Sequence, residues 1–263
     1  MANKYLSRED APLTAPVWEL LDKTMVEVAK SCLSGRRILP WEGPFGLGLK
    51  FVPLSNISGG EGVVLSQALP LVEIQKSFQL RKVDLANYER EGTAIDLTPL
   101  VEATRECACR EDEIICQGLK GIPGLLTGEE SQKIKLSSWE EVGQAATDII
   151  QAITLLDEAG FHGPYTLALA PQRYNLLLRI YHQGAKMELE HLKGMVGDGV
   201  VKAPFLKKGG VILDANRIYA CLVVGQDMTI GFIGPEEGNL VFNISETLVP
   251  LIREPRAIGV LEE

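Results

Sequence analysis

Asp96-Leu-Thr-Pro-Leu-Val-Glu-Ala-Thr-Arg-Glu-Cys-Ala-Cys-Arg-Glu-Asp-Glu-Ile-Ile-Cys116 is the longest capped helical pattern in the chain, and the rest is arranged around it. Thr98 suits an N-cap. Pro99 suits the first helical position, where its missing N–H costs nothing, and Gly118 suits a C-terminal stop. Leu100, Thr104, Cys107, Ala108, Glu111, Ile114 and Ile115 fall on one face at helical spacing, apolar except for Thr104 and Glu111. Glu102, Arg105, Glu106, Arg110 and Glu113 charge the remainder, so this helix needs a packing partner on one side and water or charge on the other. Gly118-Leu-Lys-Gly-Ile-Pro-Gly124 then breaks it with three glycines and a proline.

Toward the C-terminus, Ser138 with Glu141 three residues on reads as a capping box. It opens a helix through Val142, Ala145, Ala146, Ile149, Ile150 and Ile153, ended by Gly160. Tyr165–Ala170 reads as a buried strand, and Pro171 opens a helix carrying Tyr174, Leu177, Leu178 and Tyr181. Met187–Met195 reads as a further helical turn or two, with Gly194–Gly199 as loop. Val211–Asp214, Ile218–Val224, Met228–Ile233, Leu240–Val249 and Ile258–Leu261 read as strands between turns.

Toward the N-terminus, Lys50–Leu80 changes to β text. A Ser/Asn/Gly-rich turn lies at Ser55–Gly62, and Val72, Ile74, Lys76, Phe78 and Leu80 alternate with polar residues as in a half-buried strand. Two long strands with a polar tip predict an arm, and an isolated two-stranded hairpin is marginal in water, so the arm should lie against another subunit. Asp84–Glu91 is a short charged helical passage, and Arg36–Gly48 is too rich in proline and glycine to be regular. Val17, Leu20, Leu21, Thr24, Met25, Val28 and Cys32 make a helical stripe flanked by Trp18 and Leu33 and closed by Gly35. That helix packs on its own core or docks another chain. The first fifteen residues read as an extended tether.

Composition removes several classes. With 26 basic and 35 acidic side chains the formal charge is −9, and no basic run is present, which argues against a nucleic-acid grip. The apolar runs are too short to span a bilayer and the leading residues are polar, so a cytoplasmic protein is expected, with no membrane partner. Five cysteines, Cys32, Cys107, Cys109, Cys116 and Cys221, are expected to be reduced. Cys107 and Cys109 would point roughly 200° apart on a helix, and no histidine lies near, so no metal site is expected. His162, His182 and His191 read as turn or surface residues. No nucleophile elbow, HExxH, Walker loop or dinucleotide fingerprint occurs, and Asp112-Glu113 and Glu129-Glu130 read as solvated faces, so neither catalytic residues nor enzyme activity are expected. Phe45-Gly-Leu-Gly48 lacks the following helix N-terminus that would hold an anion.

In order and spacing, several segments together resemble the encapsulins, shell proteins with the fold of the HK97 phage capsid. They are Ala11-Pro-Leu-Thr14 before a helix with Trp18 and Asp22, Leu33-x-Gly-Arg36, Glu42-Gly-Pro-Phe-Gly46 and Leu69-Pro-Leu-Val-Glu73. Further on come Asn87-Tyr-Glu-Arg90, Glu111-Asp-Glu-Ile114, Gly163-Pro-Tyr-Thr-Leu167 and Gly225-Gln-Asp-Met-Thr-Ile-Gly231. The resemblance covers nearly the whole chain. It implies an α+β, HK97-like fold with an N-terminal tether and lumen-facing helix over 1–35 and an E-loop over 50–80. A P-domain would take 36–49, 81–123 and 215–263, and an A-domain 124–214.

The same resemblance implies a hollow icosahedral shell of about sixty copies or a multiple. Such a shell encloses a cargo enzyme, a peroxidase or ferritin-like oxidase serving oxidative-stress defence or iron storage. The cargo's C-terminal targeting peptide would enter a groove formed by Val28, Cys32, Leu33 and Arg36 of the first helix and Ile230 and Phe232 of a P-domain strand. Gly184, Ala185 and Lys186 match the loop at the five-fold pore. Some relatives hold a flavin beside an aromatic residue; the matching position here is Val83, with Tyr88 near, so no flavin or other cofactor is expected. The position that carries a carboxylate after Arg36 is Pro40. Two rivals remain: a phage major capsid protein packaging DNA, and, from another class, a small soluble peptidase or bacteriocin-like factor.

Overall fold

The computed structural model describes residues 4–181 and 186–263. It divides into two units. The first combines Met1–Leu33, Gly43–Glu111 and Val224–Leu248; the second combines Ser34–Glu42, Asp112–Val223 and Val249–Glu263.

The first unit is organised on an antiparallel sheet. The long strand Asn239–Ile252 pairs on one side with Val72–Arg81 and on the other with Thr229–Glu236. Phe78, Phe242 and Phe232 fall in register across the three strands, so one face carries an aromatic row. Phe78 and Phe242 stack at 5.3 Å, and Phe232 tilts against Phe242 at 5.5 Å. The alternation expected in Val72–Arg81 holds at Ile74, Phe78 and Leu80, which are buried. Lys76 departs from it, exposed and bonded to Glu106 at 2.6 Å. Helix α1 (Ala15–Cys32) packs against the strand Thr229–Glu236, and the edge of the Trp18 ring meets Phe242 at 5.8 Å.

The arm is shorter than the span 50–80, because Val72–Arg81 is consumed by the sheet. Phe51–Pro53 pairs with Ala68–Pro70 and Ile57–Gly60 with Val63–Leu65, turning at Glu61-Gly62. Helix α2 (Lys82–Glu91) follows, and then the long helix α3 (Thr98–Gln117), which contributes residues to each unit. Thr98 is its first residue rather than its cap: Asp96 accepts the Thr98 backbone N–H at 3.0 Å. Hydrogen bonds from the Thr98 side chain and backbone hold the Asp96 carboxyl below its usual range. The face expected to pack is buried throughout, including Thr104 and Glu111, and Gly118 stops the helix at φ +69°. Thr104 satisfies its hydroxyl on the Leu100 carbonyl at 2.7 Å.

Asp112 corrects the expectation of a solvated acidic face. It is buried and accepts from the Ser34 backbone, the Ser34 hydroxyl and the Gly35 backbone at 2.8–3.2 Å, while Glu113 is exposed. A Cβ at Gly35 would sit 2.5 Å from Ile115 Cδ1, so any larger residue there would make that side chain shift.

The second unit holds a five-stranded mixed sheet in the order Gly197–Lys202, Tyr165–Leu169, Gly210–Asp214, Ile258–Glu262, Gln132–Lys135. Pairing is parallel at both margins and antiparallel between the middle strands. Helices α4 (Gln144–Glu158), α5 (Pro171–Leu176) and α6 (Glu188–Val196) belong to this unit, and Trp41-Glu42, expected as irregular, pairs in parallel with Leu222-Val223. Gly194–Gly199 was expected as loop, yet Gly197 begins an edge strand: pairing with Tyr165–Leu169 overrides a Gly-Asp-Gly stretch that has no apolar alternation.

The expected capping box at Ser138 and Glu141 is not formed. Helix α4 starts at Gln144 after Gly143 at φ +103°, because Trp139 is drawn fully into the core. Asp148, inside the helix, takes the capping role for the loop. It accepts from the Ser137 backbone at 2.7 Å, the Ser137 hydroxyl at 2.9 Å and the Trp139 indole at 2.7 Å.

Candidate functional site

Helix α1 supplies the first wall of the expected groove. Val17, Leu21, Met25 and Ala29, spaced by four, are buried. Leu20, Thr24, Val28 and Cys32 form the adjacent file, also spaced by four, and remain half-buried. An apolar file left partly open beside a buried one is surface that this chain does not cover by itself.

The residues named from the resemblance separate by burial. Val28 and Cys32 lie on the open file, and Phe232, on the strand that α1 packs against, is half-buried. Leu33 and Ile230 are core residues, 8% and 0% exposed, and support the wall from behind instead of offering surface. Arg36 is half-buried in the 3-10 turn Gly35–Arg37 of the second unit, and the Pro40 carbonyl there accepts the Leu222 backbone N–H at 2.8 Å.

Sequence reasoning missed how the leading residues close this region. Lys4–Leu6 and Arg8–Asp10 are not an extended tether but two 3-10 turns that contact the strand Thr229–Glu236. The Arg8 guanidinium lies 4.0 Å from the Trp18 ring centre and bonds Asp22 at 2.6 Å. The Thr14 backbone and hydroxyl both donate to Glu89, at 3.0 and 2.8 Å. Gly231 was the available signal: glycine inside a strand marks a close backbone approach, and a Cβ there would lie 3.3 Å from the Leu6 carbonyl oxygen.

Of the pore residues, Gly184 and Ala185 lie outside the described residues. Lys186 is exposed, and the segment's base is tied by an Ile180–Met187 bridge, a Glu188-to-Arg179 backbone bond of 3.0 Å and an Arg179–Glu188 ion pair at 3.6 Å. At the position matched to flavin binding, Val83 is 59% exposed and presents no ring, and Tyr88 is half-buried on α2.

Burial, then the nearby carboxylates, push the Cys107 thiol up to about 12. Burial and Asp112 do the same to Cys116, so neither is a thiolate at neutral pH. Cys221 is buried, Cys32 half-buried and Cys109 exposed. His162 meets Asp157 at 3.1 Å and the Tyr165 hydroxyl donates to Asp157 at 2.7 Å; these bonds hold the Asp157 carboxyl below its usual range. Among the described residues no group of three His, Cys, Asp or Glu side chains could hold a metal ion, and no helix is long and apolar enough to cross a membrane.

Comparison with known proteins gives this geometry a context. A family model described as "Encapsulating protein for peroxidase" matches residues 3–249. The type 1 encapsulin shell protein EncA of Myxococcus xanthus is 31% identical, with 98% of this chain and 96% of that protein aligned. The crystal structure of a virus-like particle from Pyrococcus furiosus superposes with a TM-score of 0.77 at 26% identity, covering 94% of this chain and 99% of that one. The capsid of Myoviridae phage XM1, at 10% identity and TM-score 0.58 over 86% and 89% of the chains, shares the fold.

Proposed function

Since the chain belongs to the encapsulin family of shell proteins, we propose that it is a structural subunit, with no chemistry of its own, of a closed icosahedral compartment in the cytoplasm that encloses a cargo enzyme. The supporting observation is the arm. Phe51, Ile57, Val63, Val64 and Leu65 are 45–68% exposed, and all lie on short ladders that cannot hold themselves in water. A second copy laid against each arm removes that surface from solvent, and symmetric repetition closes the assembly.

Within it, Val28, Cys32 and Phe232 face the lumen and receive the cargo's C-terminal targeting peptide. Burying two or three aliphatic side chains at about 1.5–3 kcal/mol each offsets the ordering of the peptide. Many identical sites raise overall retention. A peroxidase is the guest suggested by the family's description. Lys186 lines the five-fold pore. Neither flavin nor nucleic acid is part of this reading.

Sedimentation tests it. About sixty copies of a 28.7 kDa chain make a particle of about 1.7 MDa, whereas a species near 28.7 kDa would end the proposal. Because Val17, Leu21 and Met25 are core residues, deleting the leading helix would damage the fold, so the groove is better tested by Val28→Glu. Particles of unchanged size with little guest by mass spectrometry are expected; full loading would remove Val28 from the groove.

A further inference from the structure

The sheet of the second unit ends in an open strand. Gly197–Lys202 pairs in parallel with Tyr165–Leu169 on one side and has no partner strand on the other among the described residues. A basin of about 490 Å3 runs beside it. Val200, Val201 and Lys202 line that basin in succession. Because successive strand residues point to opposite faces, such lining marks the edge of the strand, where its free peptide groups are, and not one of its faces.

The same basin gathers positive charge in a chain of net −9. Arg37, Lys193 and Lys202 are exposed, and none is paired with a carboxylate among the described residues. Lys202 extends over the Tyr174 ring, its Nζ 5.3 Å from the centroid, which fixes one cation at the wall. No acidic side chain of the described residues lines the space.

We propose that this edge is a binding site for an extended acidic peptide, which adds as a strand beside Val200–Lys202 and sets its carboxylates on Arg37, Lys193 and Lys202. The free peptide groups select an extended backbone, and the three cations select the charge. A neutral strand would leave the cations uncompensated, and a phosphate or nucleic acid would leave the peptide groups unused. The site is separate from the groove on α1 and does not rest on it.

Fluorescence anisotropy on the intact protein tests the proposal with three probes: an alternating Glu-Val decapeptide, the same peptide N-methylated at alternate amides, and polyphosphate. The decapeptide is expected to bind, to weaken about tenfold between about 50 and about 500 mM NaCl, and to be lost in Lys193→Glu/Lys202→Glu. The methylated peptide, equally charged but unable to complete the ladder, is expected to bind at least about tenfold more weakly. Equal binding of the methylated peptide or polyphosphate would overturn strand addition in favour of a plain cationic patch that takes any anion. Absence of binding, or unchanged binding to the variant, would overturn the site itself. Lys193→Gln and Lys202→Gln singly, with melting temperatures as a check on folding, separate loss of charge from loss of structure.

Discussion

The arm and the second unit's sheet are both β structure, yet they use their apolar residues in opposite ways. Tyr165–Leu169 and Gly210–Asp214 are buried at every position, whereas Ile57–Gly60 and Val63–Leu65 are exposed at every position. The difference lies in what covers each. The sheet closes around Trp139, Ile149, Leu156 and Leu167, all fully buried, while Ile57–Gly60 and Val63–Leu65 at the arm's tip are covered by no layer among the described residues. Strand formation is a local matter of pairing; burial needs a second layer, and for the arm the proposed assembly supplies that layer from another copy.

The largest effect on the protomer should come from the closed region. Trp139→Ala empties a fully buried site and removes the indole bond to Asp148, and should cost about 3–5 kcal/mol in denaturant unfolding. A loss under about 1 kcal/mol would mean that the core does not depend on that ring. Asp112→Ala follows. It leaves the Ser34 and Gly35 amides buried without their acceptor and should cost about 1–3 kcal/mol.

The acid limb of the stability profile comes next. Hydrogen bonds from Tyr165 and His162 lower the Asp157 carboxyl from 3.8, so its contribution is present above that value and is lost as the pH falls through the lower folded pKa. Asp157→Asn should therefore lower stability at neutral pH and flatten its fall below about pH 4; an unchanged acid limb would show that this cluster is idle. The smallest effect on protomer stability is expected in the arm. Val64→Asp with Leu65→Asp should change unfolding by under about 0.5 kcal/mol, yet abolish the megadalton species in sedimentation. If it unfolds the protomer instead, the contrast between the two regions collapses.

Much of the layout was legible because periodicity and punctuation are local. The buried face of α3, its stop at Gly118, the strand Tyr165–Leu169 and the start of a helix at Pro171 follow from spacing and from proline and glycine chemistry, although that helix ends at Leu176, short of the expected Leu177, Leu178 and Tyr181. The edge strand Gly197–Lys202 was not legible, since it carries no apolar alternation and exists through a parallel neighbour, and Gln132–Lys135 was missed because its alternation, Lys133-Ile134-Lys135-Leu136, is too short to stand out. Helical spacing placed Val28 and Cys32 on the apolar stripe of α1 but did not separate them from its buried file, and their place in a groove followed only from the family resemblance. The burial of Leu33 and Ile230 could not be read either, because both positions look alike in a list of apolar residues.

By itself the sequence determined the helical and strand periods, the apolar excess of the arm and the acidic balance, all of which depend on neighbours a few residues away. Tertiary structure decided which polar groups go inside. Asp112 and Asp148 read as ordinary acids until distant backbone and indole donors converge on them. It also decided that the leading residues fold onto the strand Thr229–Glu236, since Arg8 finds Trp18 and Asp22 only when the chain returns on itself. Contacts between segments far apart along the chain carry no period, so they become visible only after packing has brought them together.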